Sequence, residues 1–182
     1  ARGSVRLTAS ARDALSGMAP AGAGGPSTTI AVDGAAAAVD PGAAVTTTVS
    51  GEGVHTVSFS ARDAAGNSSP VGSGPPPAPG TAVVRIDESG PQVSFARSQD
   101  PSDPERLEAR VVDPLSGPDP VRGSIALRPA GSTLPFRQLA TSVSGDRLTA
   151  VWDSDSYPPG SYEFRATGYD RAGNSASSDR RA

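Results

Sequence analysis

The sequence predicts an all-β protein made of two consecutive antiparallel β-sandwiches. Three observations predict it: side chains that alternate in polarity with period two, an internal repeat, and turn chemistry that recurs at matching places in the repeat. Val5, Leu7, Ala9 and Ala11 fall on one face of an extended chain, and Arg6, Thr8, Ser10 and Arg12 fall on the other. His55, Val57, Phe59 and Ala61 alternate with Thr56, Ser58, Ser60 and Arg62, and Tyr162, Phe164, Ala166 and Gly168 follow the same rule. That is the pattern of strands buried on one side only.

The repeat has two blocks in the same order. Leu7-Thr-Ala-Ser-Ala-Arg-Asp13-Ala-Leu15-Ser16-Gly17 aligns with Leu107-Glu-Ala-Arg-Val-Val-Asp113-Pro-Leu115-Ser116-Gly117. Gly53–Asn67 aligns with Gly160–Asn174, and both end Asp-x-Ala-Gly-Asn. Two ordered blocks at nearly one offset imply two copies of one fold. With 182 residues the halves are each about the size of a seven-strand sandwich. The boundary is placed at the polar turn Asp87-Glu88-Ser89-Gly90-Pro91, giving domains 1–88 and 89–182.

Further strands are expected at Thr28–Val32, Val45–Val49, Thr81–Ile86, Gln92–Phe95, Gly123–Leu127, Phe136–Leu139 and Leu148–Trp152. Ala35–Ala38, between Gly34 and Pro41, reads as a short turn of helix. A Gly/Ala/Pro-rich insertion follows Gly17, and Ser68–Gly80, with Pro75-Pro76-Pro77, reads as a long exposed loop. Nothing before Val5 matches Gln92–Phe95, so the first copy is expected to start at its second strand. Ser175–Ala182 reads as a polar tail where a last strand belongs.

Composition narrows the functional classes. The basic residues are all arginine, and the net charge of −3 is dispersed, with no basic stripe to suit nucleic acid. No run approaches the ~20 apolar residues of a membrane helix, and no cationic amphipathic helix suggests direct membrane insertion. With no cysteine, disulfides, thiolate metal sites and cysteine nucleophiles are excluded.

The repeated turns have a physical reading. Asp13, Asp63, Asp113 and Asp170 end strands, where a carboxylate can accept backbone N–H bonds. Gly17, Gly66, Gly117 and Gly173, and with them Asn67 and Asn174, tolerate positive φ. Trp152 shares a face with Leu148 and Ala150 and reads as core rather than as a sugar-stacking platform. His55 is the only histidine and lies within a strand, far from the arrangement a Ser–His–Asp triad needs. The carboxylate pairs Asp153/Asp155 and Asp100/Asp103 sit in polar turns that give no reason for a raised pKa. The chain is therefore expected not to be an enzyme. Calcium is the one cofactor considered: Asp113 and Asp170 would share a pole of the second sandwich with Asp87 and Glu88 of the linker, giving hard oxygen ligands. Asp153-Ser-Asp155-Ser lacks the rest of an EF-hand loop.

At Gly53–Asn67 and Gly160–Asn174 the chain resembles bacterial immunoglobulin-like repeats. The first copy looks like the OmpL47-type repeat of actinobacterial surface proteins. The second, with Val151-Trp152-Asp153 and Pro159-Gly160-Ser-Tyr162, is similar to the generic bacterial Ig-like repeat. The resemblance implies tandem immunoglobulin-like sandwiches, with Tyr162 as a tyrosine corner and His55 in the matching place. It implies an extracellular or cell-surface setting and a structural role as a spacer or stalk. The alternative role is an adhesin or glycan-binding module. Expected partners are neighbouring domains of the same polypeptide and, for the alternative, a surface protein or glycan. These motifs are turn chemistry, which identifies a fold better than a function.

Overall fold

The computed structural model describes residues 1–18, 27–69, 80–96, 102–103 and 105–181. The chain is all-β, with one short 3₁₀ turn among the described residues, and divides into two compact units, Ala1–Asp87 and Glu88–Ala182. Among the described residues no helix is long and apolar enough to cross a membrane.

In the first unit, β1 (Val5–Ser10) pairs antiparallel with β4 (Ala44–Val49). The other sheet has the order β3-β2-β5-β6, from Ala35–Asp40, Ser27–Val32, Gly53–Arg62 and Thr81–Ile86. The inward residues Ala9, Val45, Val49, Ile30, Val57 and Ile86 form its core. Ala35–Asp40 corrects the expected turn of helix. Asp33 and Gly34 both take positive φ (52° and 82°) and join Val32 to Ala35, a two-residue hairpin of the I′ kind. Ladder bonds to β2 then hold alanines that have little strand preference of their own. The loop expected over Ser68–Gly80 lies mostly outside the described residues, at 70–79. The insertion after Gly17 likewise lies largely outside them, at 19–26.

In the second unit, one sheet runs β7-β8-β12-β11: Gln92–Phe95, Arg106–Val112, Arg147–Val151 and Thr141–Ser144. The other runs β14-β13-β9-β10: Ser175–Arg181, Tyr162–Asp170, Pro118–Pro129 and Arg137–Gln138. Lettered in chain order these are A-B-E-D against G-F-C with an added edge strand, the order of an immunoglobulin-type sandwich. Leu107, Ala109, Val111, Ile125, Leu127, Leu148, Phe164 and Ala166 fill the space between them.

Ser175–Arg181 corrects the expected polar tail. It is a full edge strand along β13, held by polar partners directly opposite each other. Arg165 grips Asp179 through Nε and Nη2, both at 2.7 Å. Thr167 and Ser177 join hydroxyls at 2.8 Å, and Arg181 donates to Glu163 at 3.0 Å.

Candidate functional site

The aspartate-led turns singled out by the sequence come together in pairs, one pair at one end of each sandwich, and the same construction serves both. After β1, Asp13 Oδ1 accepts the backbone N–H groups of Leu15, Ser16 and Gly17 at 2.9, 2.6 and 3.0 Å. After β8, Asp113 Oδ1 accepts those of Leu115, Ser116 and Gly117 at 3.1, 2.7 and 2.7 Å. Gly17 and Gly117 close these turns at φ of 74° and 81°, a region costly to a side chain. The bonds from Gly17, Leu15 and Ser16, in that order, hold the Asp13 carboxyl below its ordinary pKa.

The second turn of each unit follows β5 or β13. Asp63 Oδ1 accepts the Asn67 N–H, and Oδ2 accepts the Asn67 side-chain amide, both at 2.7 Å. Asp170 does the same with Asn174, both at 2.8 Å. Gly66 and Gly173 supply the positive φ, at 95° or just below. The asparagines do not, which corrects their expected share in it; among the described residues Asp33 is the one non-glycine residue with positive φ. Asn67 and Asn174 contribute an amide donor instead. The Asn67 side chain is the largest influence lowering the Asp63 pKa.

A backbone latch then ties the two turns of each unit together. Ala64 N–H donates to Gly17 O at 3.1 Å, and Arg171 N–H donates to Gly117 O at 3.0 Å. Asp113 and Asp170 thereby meet at one pole of the second unit, each offering a carboxylate oxygen within 4.8 Å of the other. Asp170 is fully buried and Asp113 half-buried. Asp87, buried, closes the first unit, where its N–H donates to Ala1 O at 2.9 Å. Glu88, exposed, opens the second.

The corner positions hold their own loops. Tyr162 O–H donates to Pro158 O at 2.7 Å, four residues back. In the matching place His55 Nε2 faces Gly51 O at 3.0 Å, again four residues back. Its Nδ1 faces Asp33 Oδ2 at 2.8 Å, while Asp33 Oδ1 accepts the Thr56 N–H at 2.8 Å. Both imidazole nitrogens thus point at acceptors, an arrangement satisfied when both are protonated. Asp33 raises the His55 pKa most and Gly51 O adds to it, while His55 leads in lowering that of Asp33.

Trp152 is half-buried and packs on the core, its ring edge-on to Phe164 with centroids 5.1 Å apart and 5.5 Å from Tyr162. Asp153 caps the 3₁₀ turn Ser154–Ser156, accepting the Asp155 N–H at 3.1 Å. Of the pair Asp100/Asp103, Asp100 lies outside the described residues.

Two features had no sequence prediction. Glu163 is nearly buried and takes bonds from Arg128 at 2.9 Å and Arg181 at 3.0 Å. Arg128 contributes most to lowering its pKa. Beside it, a cleft of about 370 Å³ in the second unit is lined by Leu134, Pro135, Arg137, Tyr157, Pro158 and Pro159.

Comparison with protein-family models and with curated protein sequences gives no match. The class that fold and site define is an antiparallel β-sandwich protein, built twice, with its conspicuous carboxylates engaged in its own turns.

Proposed function

We propose that this chain is a non-catalytic spacer or presentation stalk of a larger secreted or cell-surface protein, related to the bacterial immunoglobulin-like repeats it resembles. The supporting observation is how both units use their reactive side chains. Asp13, Asp63, Asp113 and Asp170 accept bonds from their own turns, and His55 and Tyr162 close their own loops. A carboxylate engaged by several N–H groups is a poor general base. Strong turns do suit a module that must stay folded while it holds a neighbouring domain at a distance.

Calcium is the less favoured addition to this reading. Asp113 and Asp170 are hard ligands, but Ca²⁺ takes six to eight oxygens. Three of the four carboxylate oxygens concerned already accept turn bonds.

The cleft beside Tyr157 favours one second reading, a binding module. Its volume falls in the range of about 300–1,000 Å³ typical of ligand sites. Its proline, leucine and tyrosine lining suits an apolar protein segment better than a glycan. A glycan array combined with an adhesion assay on cells and immobilised surface proteins separates the two. The stalk reading expects no saturable binding; saturable binding to a defined glycan or protein, lost in Tyr157→Ala, overturns it in favour of the adhesin.

A further inference from the structure

The cleft beside Tyr157 in the second unit has walls that the fold holds in place. Both are tied to neighbouring residues at the start of β13. Tyr162 O–H holds the Pro158 carbonyl of one wall at 2.7 Å. Glu163 holds the other: Oε1 accepts the Gly131 N–H at 3.3 Å, and Oε2 accepts Arg128 Nε at 2.9 Å. Between the walls Ala130 N–H donates to Ser161 O at 2.9 Å. The opening of about 370 Å³ is thus shaped before any ligand arrives.

Its lining includes Pro129, Pro135, Pro158 and Pro159, with Leu134 and Tyr157. Proline has no backbone N–H, so these walls offer hydrocarbon and few donors. A sugar or an extended peptide would bring many polar groups, and each one that lost water without finding a partner would cost affinity. A hydrocarbon body asks for no partner.

Two polar side chains of the lining are unengaged. Arg128 is taken up by Glu163. Among the described residues the Arg137 side chain makes no hydrogen bond or ion pair, and the Tyr157 hydroxyl makes no hydrogen bond. Arg137 stands opposite Leu127 in the β10–β9 ladder, and Leu127 points into the core. Cross-strand partners share a face, so Arg137 projects on the core side of the sheet, toward the cleft. Its guanidinium carbon lies 5.6 Å from the Tyr157 ring centroid. Among the described residues no carboxylate lines the cleft. An apolar slot with one unpaired cation and one hydroxyl donor suits an anionic head on an apolar body.

We propose that this cleft is a binding site for a small amphipathic monocarboxylate. An aryl or alkyl body lies between the proline walls, and its carboxylate takes charge-assisted bonds from Arg137 and the Tyr157 hydroxyl. The inference goes beyond both readings above: a stalk needs no such ligand, and an adhesin binds a macromolecule.

The test uses the full chain and follows the indole N–H of Trp152, its only tryptophan, by NMR; the Trp152 and Tyr157 ring centroids lie 6.0 Å apart. Hydrocinnamate should shift this signal saturably, in the roughly millimolar range expected of so small a ligand. Its neutral amide, hydrocinnamamide, should bind about tenfold more weakly, having lost the charge-assisted bonds. Propionate, which lacks the aryl body, should give no saturable shift. Arg137→Gln, at an exposed position, should bring the acid's affinity down to that of the amide and leave the amide's unchanged. Leu134→Asp, also exposed, sets a repelling charge at the cleft and should abolish binding of the acid. Calorimetry checks that both variants fold; if Arg137→Gln does not, the comparison of acid with amide in the unaltered chain decides. No saturable shift with hydrocinnamate overturns the proposal, as does saturable binding of propionate. So does equal affinity for acid and amide, or indifference to Arg137→Gln, which would leave Arg137 as a charge that only guards edge strand β10 against pairing.

Discussion

Gly168→Ala should destabilise the second unit, although alanine is normally the better residue in a strand. The backbone there has no positive φ, so the change itself would gain about 0.4–1 kcal/mol by restricting the unfolded chain. Against that, the new Cβ meets Val111 at 2.6 and 2.8 Å and Val93 at 3.0 Å, where carbon atoms prefer about 3.5–4.0 Å. Overpacking costs roughly 1–3 kcal/mol, and three contacts at 3.0 Å or less put this one at roughly 2–3, so the net loss is about 1–2.6 kcal/mol. For a domain of this size each kcal/mol moves the midpoint by about 4–8 °C. Val111→Ala alone removes two buried methyl groups, about 1.6 kcal/mol of transfer energy before any cavity term. Together the two changes put alanine at both positions, as at Ala11 and Ala61, which the repeat aligns with them, and only the Val93 contact at 3.0 Å remains. The double variant should therefore be more stable than the sum of the singles by about 1–2 kcal/mol. Differential scanning calorimetry reads this directly, with the transition of the first unit as internal reference. An unmoved transition in Gly168→Ala, or simple additivity in the double variant, would refute the packing argument.

Other expectations follow from the turns and the corner. Asp170→Ala should cost the second unit about 1–3 kcal/mol, because buried Asn174 donors lose their acceptor; chemical denaturation measures it, and the better exposed Asp63→Ala should cost the first unit less. The first unit should melt lower as pH rises through the His55 pKa. That value is raised by Asp33, so the contact contributes fully below the unfolded value near 6.5 and is lost above the folded one. His55→Gln should remove this alkaline limb. The opposite limb, from Asp33, should appear only as pH falls below the ordinary carboxylate range. A chelator should leave both melting transitions in place, since Asp113 and Asp170 already bond their turns; a drop in the second transition on adding EDTA would instead assign a cation to that pair.

What the sequence made legible was whatever rests on local pattern. Strands β5 and β13 alternate over long stretches with large inward residues such as Val57 and Phe164, and both lie between other strands of their sheets. The aspartate-led turns are local too, since acceptor and donors lie within four residues. Strand β14 escaped because its stabilising groups are polar and their partners lie on β13: Asp179 reads as tail until Arg165 is placed opposite. Strand β3 escaped because four alanines outweighed the Asp33-Gly34 hairpin signal, which was there to be used. The latch from Ala64 to Gly17, and the pairing of His55 with Asp33 across 22 residues, depend on register between distant segments. No single stretch of sequence carries that.

This chain is two separate sandwiches, each closed by its own pair of aspartate turns. Pulling a single molecule by its ends checks their independence. Two separate unfolding events are predicted, each releasing roughly 30 nm of chain, from about 90 residues at ~3.5 Å each. One event of roughly 60 nm would contradict it.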